Sequence, residues 1–147
     1  MRTTLVIALG LIGGVAAMGA EKKVKLQDLP PAVQQAVKDQ TKNATLVGLS
    51  QEVENGKTVY EAETKVNGHG RDMIIDGSGA ILEVEEEVAL ESIPAAARAA
   101  IEKQAAGGKI AKVETVTKGK TVTYEAGVTK NGKKSEVSFT ADGAPVK

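Results

Sequence analysis

The strongest constraint in this sequence is a strand that occurs twice. Gly56-Lys57-Thr58-Val59-Tyr60-Glu61-Ala62 returns as Gly119-Lys120-Thr121-Val122-Thr123-Tyr124-Glu125-Ala126, and the flanking residues return with it. At a spacing of 64 residues, Val24, Leu26, Leu29 and Pro30 match Val88, Leu90, Ile93 and Pro94, while Asn67-Gly68 and Gly79-Ala80 match Asn131-Gly132 and Gly143-Ala144. A Gly-opened turn feeding a strand of Val and Tyr is the middle of an antiparallel meander, so the chain is expected to hold two tandem copies of one unit. Only the first hairpin runs at a spacing of 63, which predicts a β-bulge in one copy alone.

Each unit opens with a helix. Asp28 and Ser92 are candidate N-caps, Pro30, Pro31 and Pro94 suit a first turn, and Asn43 and Gly107-Gly108 supply the stops. Leu29, Val33 and Val37, and in the second unit Ile93, Ala97 and Ile101, recur every four residues as one narrow apolar stripe. Strand signals then run from Thr45 to Glu54, Lys57 to Val66, Arg71 to Asp76 and Ala80 to Glu87, and again from Lys109 to Thr117, Lys120 to Lys130, Ser135 to Thr140 and Ala144 to Val146. Asn-Gly, Asp-Gly and Lys-Gly pairs between them favour tight hairpins. The predicted fold class is α+β: two tandem helix-plus-antiparallel-meander repeats, with the helices packed on one face of an antiparallel sheet and the other face open to water.

Size and composition bear on how the units combine. Residues 21–87 and 88–147 are the two repeats, and a unit of that size with so few large side chains is marginal alone, so the two are expected to share one core. The aromatic residues are Tyr60, Tyr124 and Phe139, which leaves Val, Ile, Leu and Ala to build a thin two-layer interior. Both tyrosines fall on the inward phase at matching sites, where core packing is expected of them. Charge balances at 19 basic and 19 acidic residues, yet the first repeat carries 8 basic against 13 acidic and the second 10 against 6. A dense Arg stripe with interleaved aromatics is missing, which argues against nucleic acid.

Residues 1–20 have the three-part layout of a secretory signal: Arg2, an apolar run from Leu5 to Val15, then Ala16, Ala17, Gly19 and Ala20, with cleavage expected after Gly19 or Ala20. The expected location is periplasmic or secreted, with no membrane association after cleavage. The absence of Cys excludes disulfides, catalytic thiols and thiolate metal sites.

Little in the chain suggests catalysis. His69 is the only histidine and lies in an Asn-Gly-His-Gly loop, where a solvated imidazole is expected, and no Ser stands in a Gly-x-Ser-x-Gly elbow. No catalytic residue, metal centre or cofactor is assigned. The carboxylates are the informative groups. Glu61, Glu63, Glu83 and Glu85 fall on the outward phase of the first repeat, as Thr123, Glu125 and Glu136 do in the second. These seven are the candidate surface for a protein or peptide partner. If the second and fourth strands of the first repeat lay close together, the same four glutamates could instead offer oxygens to a hard cation. Exposed charge there also discourages edge pairing with other chains.

The Leu-Pro helix start, the Gly hairpin, Tyr60-Glu61-Ala62 and the run Asp76-Gly77-Ser78-Gly79-Ala80-Ile81-Leu82-Glu83-Val84-Glu85 together resemble the PepSY-like family of exported bacterial proteins, over Val24 to Lys147. The resemblance implies a tandem helix-plus-four-strand architecture similar to that of β-lactamase-inhibitor proteins, whose open sheet grips a protein. It also implies a non-enzymatic binding or inhibitory role outside the cytoplasm, and brings no catalytic residues.

Overall fold

Proline sets where each helix begins. The computed structural model describes residues 21–146, so the signal segment expected at 1–20 lies outside the described residues. Helix α1 spans Pro31–Gln40 and α2 spans Ala95–Gln104. Their N-cap positions are Pro30 and Pro94, with no side-chain cap hydrogen bond at either. Asp28 and Ser92 are therefore not the caps that the sequence suggests. They close short 3-10 turns, Leu26–Asp28 and Leu90–Ser92, and Ser92 Oγ donates to the Ala89 carbonyl at 2.7 Å. Leu29 and Ile93 lie between turn and helix with ψ of 158° and 161°, the extended backbone that a following proline demands.

The strands are β1 (Lys22–Lys23), β2 (Thr45–Glu54), β3 (Lys57–Val66), β4 (His69–Asp76), β5 (Ile81–Glu87), β6 (Lys109–Lys118), β7 (Thr121–Lys130) and β8 (Lys133–Phe139). They form one antiparallel sheet in sequence order from β1 to β8. Beyond β8 the chain makes only an isolated bridge, Phe139 to Pro145, in place of the expected strand from Ala144 to Val146.

The spacing of 63 in the first hairpin is not a bulge. Glu54 pairs with Lys57 across Asn55-Gly56, and Lys118 pairs with Thr121 across Gly119-Lys120, so both loops hold two residues and the spacing is 64 throughout. What differs is turn chemistry. Asn55 and Gly56 both have positive φ, at 49° and 77°, whereas in the second turn Gly119 alone does, at 59°. The glycine moves from the second to the first turn position, which shifts the letters without shifting the backbone. Bulges do occur, between Leu46 and Gly48 and, matching it, between Ile110 and Lys112, with a further irregularity at Ile74/Ile75.

Both helices cover the same face. Val84 and Thr117 are directly opposite across β5 and β6; Val84 packs against the α1 cluster, while Val113, on the same side of β6 as Thr117, packs under α2. The buried apolar side chains under the helices fall in two clusters. Val33, Val37, Tyr60, Met73 and Ile75 form one apolar cluster, and Ala97, Ile101, Val113, Ala126 and Phe139 form another. One continuous sheet joins them. Each narrow helical stripe covers only the strands beneath it, because small side chains cannot bridge the gap between two short helices.

Among the described residues no helix is long and apolar enough to cross a membrane.

Candidate functional site

The face without helices is not uniformly open to water. Glu83 and Glu85 are each only 7% exposed, and Val59, Ile74 and Val116 on the same face are buried as well. Pairing explains this. Glu83 is directly opposite Ile74, and Glu85 is directly opposite Val116, so each carboxylate has a branched apolar neighbour on its strand partner. The twist of a broad sheet folds these side chains over one another. Exposed charge predicted from alternation alone becomes buried charge in the sheet's middle.

The strand order also decides which acids meet. β3 and β5 are separated by β4, so Glu61 and Glu63 do not join Glu83 and Glu85 in one set. Two groups of three form instead, each with oxygens within 4.8 Å of one another: Glu21, Glu61 and Glu63 at one side, and Asp72, Glu85 and Glu114 at the centre. Followed from strand to strand, the acids make a line. Glu63 is opposite Asp72, Asp72 is opposite Glu85, Glu85 meets Glu114, Glu114 is opposite Glu125, and Glu125 is a diagonal neighbour of Glu136 across β7 and β8. Six strands thus contribute to one acidic stripe that crosses the boundary between the two apolar clusters.

Positive charge along the stripe is sparse. Lys112 forms an ion pair with Glu114, and Lys118 Nζ lies 3.1 Å from Glu83 Oε2. Glu85 has no ion pair or hydrogen-bond partner among the described residues. Burial, followed by the charges of Glu114 and Glu83, pushes its carboxyl up to about 8. Burial and the charge of Glu63 push Glu61 up to about 7. Desolvation raises Glu136, and Glu125 beside it adds to the effect. Burial also raises Glu83 and Asp72, against the hydrogen bond from Lys118 to the first and that from the Thr64 N–H, at 3.1 Å, to the second. Lys112 is held above its ordinary value because its glutamate neighbours outweigh its own desolvation.

Of the candidate residues, Glu61, Glu63, Glu85, Glu125 and Glu136 lie along this stripe; Glu83 sits beside it in its lysine pair, and Thr123 is opposite the buried Val116. Sequence reasoning missed Glu21, Asp72, Glu114 and Lys112. Asp72 and Glu114 do have the right alternation phase, but only knowledge of which strands are neighbours distinguishes them from other exposed acids. His69 is exposed at the start of β4, as expected.

No protein-family model matches the sequence, and no curated protein does. Solved structures do match the fold. A proposed periplasmic protein from Bacteroides eggerthii aligns with a TM-score of 0.67 at 20% identity, over 81% of this chain and 86% of that one. A DUF2874 family protein from Bacteroides uniformis gives 0.64 at 21% identity, over 80% and 86%. A BLIP-like protein from Bacteroides fragilis gives 0.60 at 20% identity, over 81% and 84%. In architecture, an antiparallel eight-stranded sheet with two helices on one face, the protein is thus similar to BLIP-like and DUF2874 family proteins.

Proposed function

We propose that this protein is a non-enzymatic, exported binding module that receives a positively charged segment of a protein or peptide partner on its acidic sheet face, with inhibition of that partner as one form of the role. The observation that carries this reading is the line of carboxylates from Glu63 to Glu136. Like charges placed directly across strands destabilise a sheet, and Glu85 is buried there without an ion pair of its own among the described residues. A surface that loses stability to crowded acids gains most when a cation-bearing partner arrives. The BLIP-like neighbour supports a binding role, and the neighbour proposed as periplasmic supports an envelope location, in line with the signal-like residues 1–20. The uniform spacing of 64 between β2–β3 and β6–β7 supports descent from a duplicated unit of the PepSY-like kind.

The test is capture from native envelope extract by the wild-type protein and by a Glu61→Lys/Glu63→Lys variant. Reduced capture by the variant is expected, and equal capture rejects this face as the binding surface.

A second reading is favoured by the central triplet. Asp72, Glu85 and Glu114 could hold a hard divalent cation, with carboxylate oxygens already close together. Calorimetry with calcium separates the readings. Saturable heats below millimolar concentration that disappear in Asp72→Asn favour the cation, whereas unsaturable heats remove it.

A further inference from the structure

Resting on the reading of the acidic face as a partner surface, we propose that the partner docks as a ninth strand along the outer edge of β8, an extended segment alternating apolar side chains toward α2 with basic side chains toward Glu136 and Glu125.

β8 is last in the sheet order, and among the described residues no strand pairs with its outer side from Lys133 to Val137. Val146 donates its N–H to the Ser138 carbonyl at 2.9 Å, so Ser138 points its backbone outward. Alternation in an antiparallel ladder then directs the backbone groups of Glu136 and Lys134 outward too. Those amides and carbonyls are what an added strand pairs with.

The matching edge at β4 shows what fits. There β5 pairs along residues Arg71 to Ile75, placing Val84 against the apolar cluster under α1 and Glu85 on the opposite face. At β8 the place corresponding to Val84 is a cleft of about 440 Å³, lined in part by Ala100, Gln104, Val137 and Phe139. Apolar side chains of an incoming strand fill this cleft on the helix side.

Charge selects the other side. A residue beside Glu136 in the Glu85 position meets Glu136 and its neighbour Glu125; Lys112, across Gly127, is already ion-paired to Glu114 and offsets their charge only in part. A glutamate there would repeat the repulsion, whereas a lysine or arginine relieves it. Ser138 Oγ, on the same face, is a buried hydroxyl with no hydrogen-bond partner, and it too can accept from an arriving ammonium.

The probe is a synthetic eight-residue peptide alternating Val and Lys, titrated by calorimetry into the full chain, with a peptide of the same composition in blocks as control. Three proteins are compared: wild type, Lys134→Pro and Glu63→Gln/Glu125→Gln. Proline at Lys134 removes an outward N–H but no bond to β7, a position where an edge strand tolerates it. Binding of the alternating peptide to wild type, weakened at least tenfold by Lys134→Pro, is the expected result. Binding that Lys134→Pro leaves intact but the double glutamine variant abolishes overturns the edge docking and retains the acidic face. Loss of neither, or absence of binding to wild type, overturns both. Should Lys134→Pro fail to fold, hydrogen exchange on the wild type decides: the amides of Lys134 and Glu136 exchange fast when free and slow with peptide. Slow exchange in the free protein, or a dimer in sedimentation that buries the same amides, means that the edge is already covered and overturns the proposal.

Discussion

Lys118 Nζ stands 3.1 Å from Oε2 of Glu83, tying the end of β6 to a side chain on β5 that is only 8% exposed. This pair closes the seam between the two halves of the sheet. Among the described residues it is also the only ion pair that Glu83 makes.

Removing the ammonium strands a buried carboxylate. Lys118→Ala is expected to lower unfolding free energy at pH 8 by about 1–2 kcal/mol, toward the small end for a broken buried pair because Lys118 itself is half exposed. The loss should shrink at pH 5, where Glu83, already raised by burial, takes up a proton more easily. Urea titrations at the two pH values check both parts.

Acid should stabilise this protein over a range where most proteins are indifferent. Glu61 and Glu85 reach about 7 and about 8 in the folded state, against an ordinary value near 4.5. Between roughly pH 4.5 and 8 the folded chain therefore binds more protons than the unfolded chain, and stability falls as pH rises. Above about pH 8 the full penalty is present; below about pH 4.5 it is gone. Asp39, Asp76 and Asp142 are shifted downward and act the opposite way, but only below pH 4. Scanning calorimetry should show Tm higher at pH 5 than at pH 8 by roughly 5 °C or more. Glu85→Gln should raise Tm at pH 8, leave it nearly unchanged at pH 5, and flatten the profile between.

Two glycines with similar backbones should respond differently to alanine. Gly56 and Gly79 have φ of 77° and 85°, so a side chain at either costs about 1–2 kcal/mol in left-handed strain. A Cβ at Gly56 meets nothing within 4 Å, but one at Gly79 falls 2.6 Å from the Ala32 carbonyl oxygen in α1. Gly79→Ala should cost about 1–3 kcal/mol more than Gly56→Ala in chemical unfolding, since the turn must back away from the helix. Gly143, whose Cβ would lie 2.8 Å from the Ala96 carbonyl oxygen, should behave like Gly79.

The separation of the apolar clusters has a thermodynamic consequence. Ile75 under α1 and Ile101 in α2 are both fully buried, in different clusters. Ile75→Val and Ile101→Val should each cost about 0.5–1.5 kcal/mol. The double variant should equal their sum within about 0.5 kcal/mol. A larger deviation in denaturant titrations would show that the two clusters are coupled as one core.

The amino-acid order by itself determined the local structure. Asn-Gly at three turns supplies the paired positive φ values of tight hairpins, alternating Val, Tyr and Glu assigns each strand two faces, and the Leu-Pro and Ile-Pro pairs start the helices. Each of these depends on residues a few positions apart, and steric and hydrogen-bonding rules act at that range. Even there, the moved glycine at Gly119 read as a bulge, because a turn can keep its length while its letters shift. Tertiary structure alone decided what the acids do. Placing β4 between β3 and β5, and β5 against β6, brought Asp72, Glu85 and Glu114 together and left Ile74 and Val116 to shield Glu83 and Glu85 from water. A carboxylate's energy depends on the dielectric and the charges within a few ångströms of it. Its neighbours at that distance lie across strands, far away in sequence.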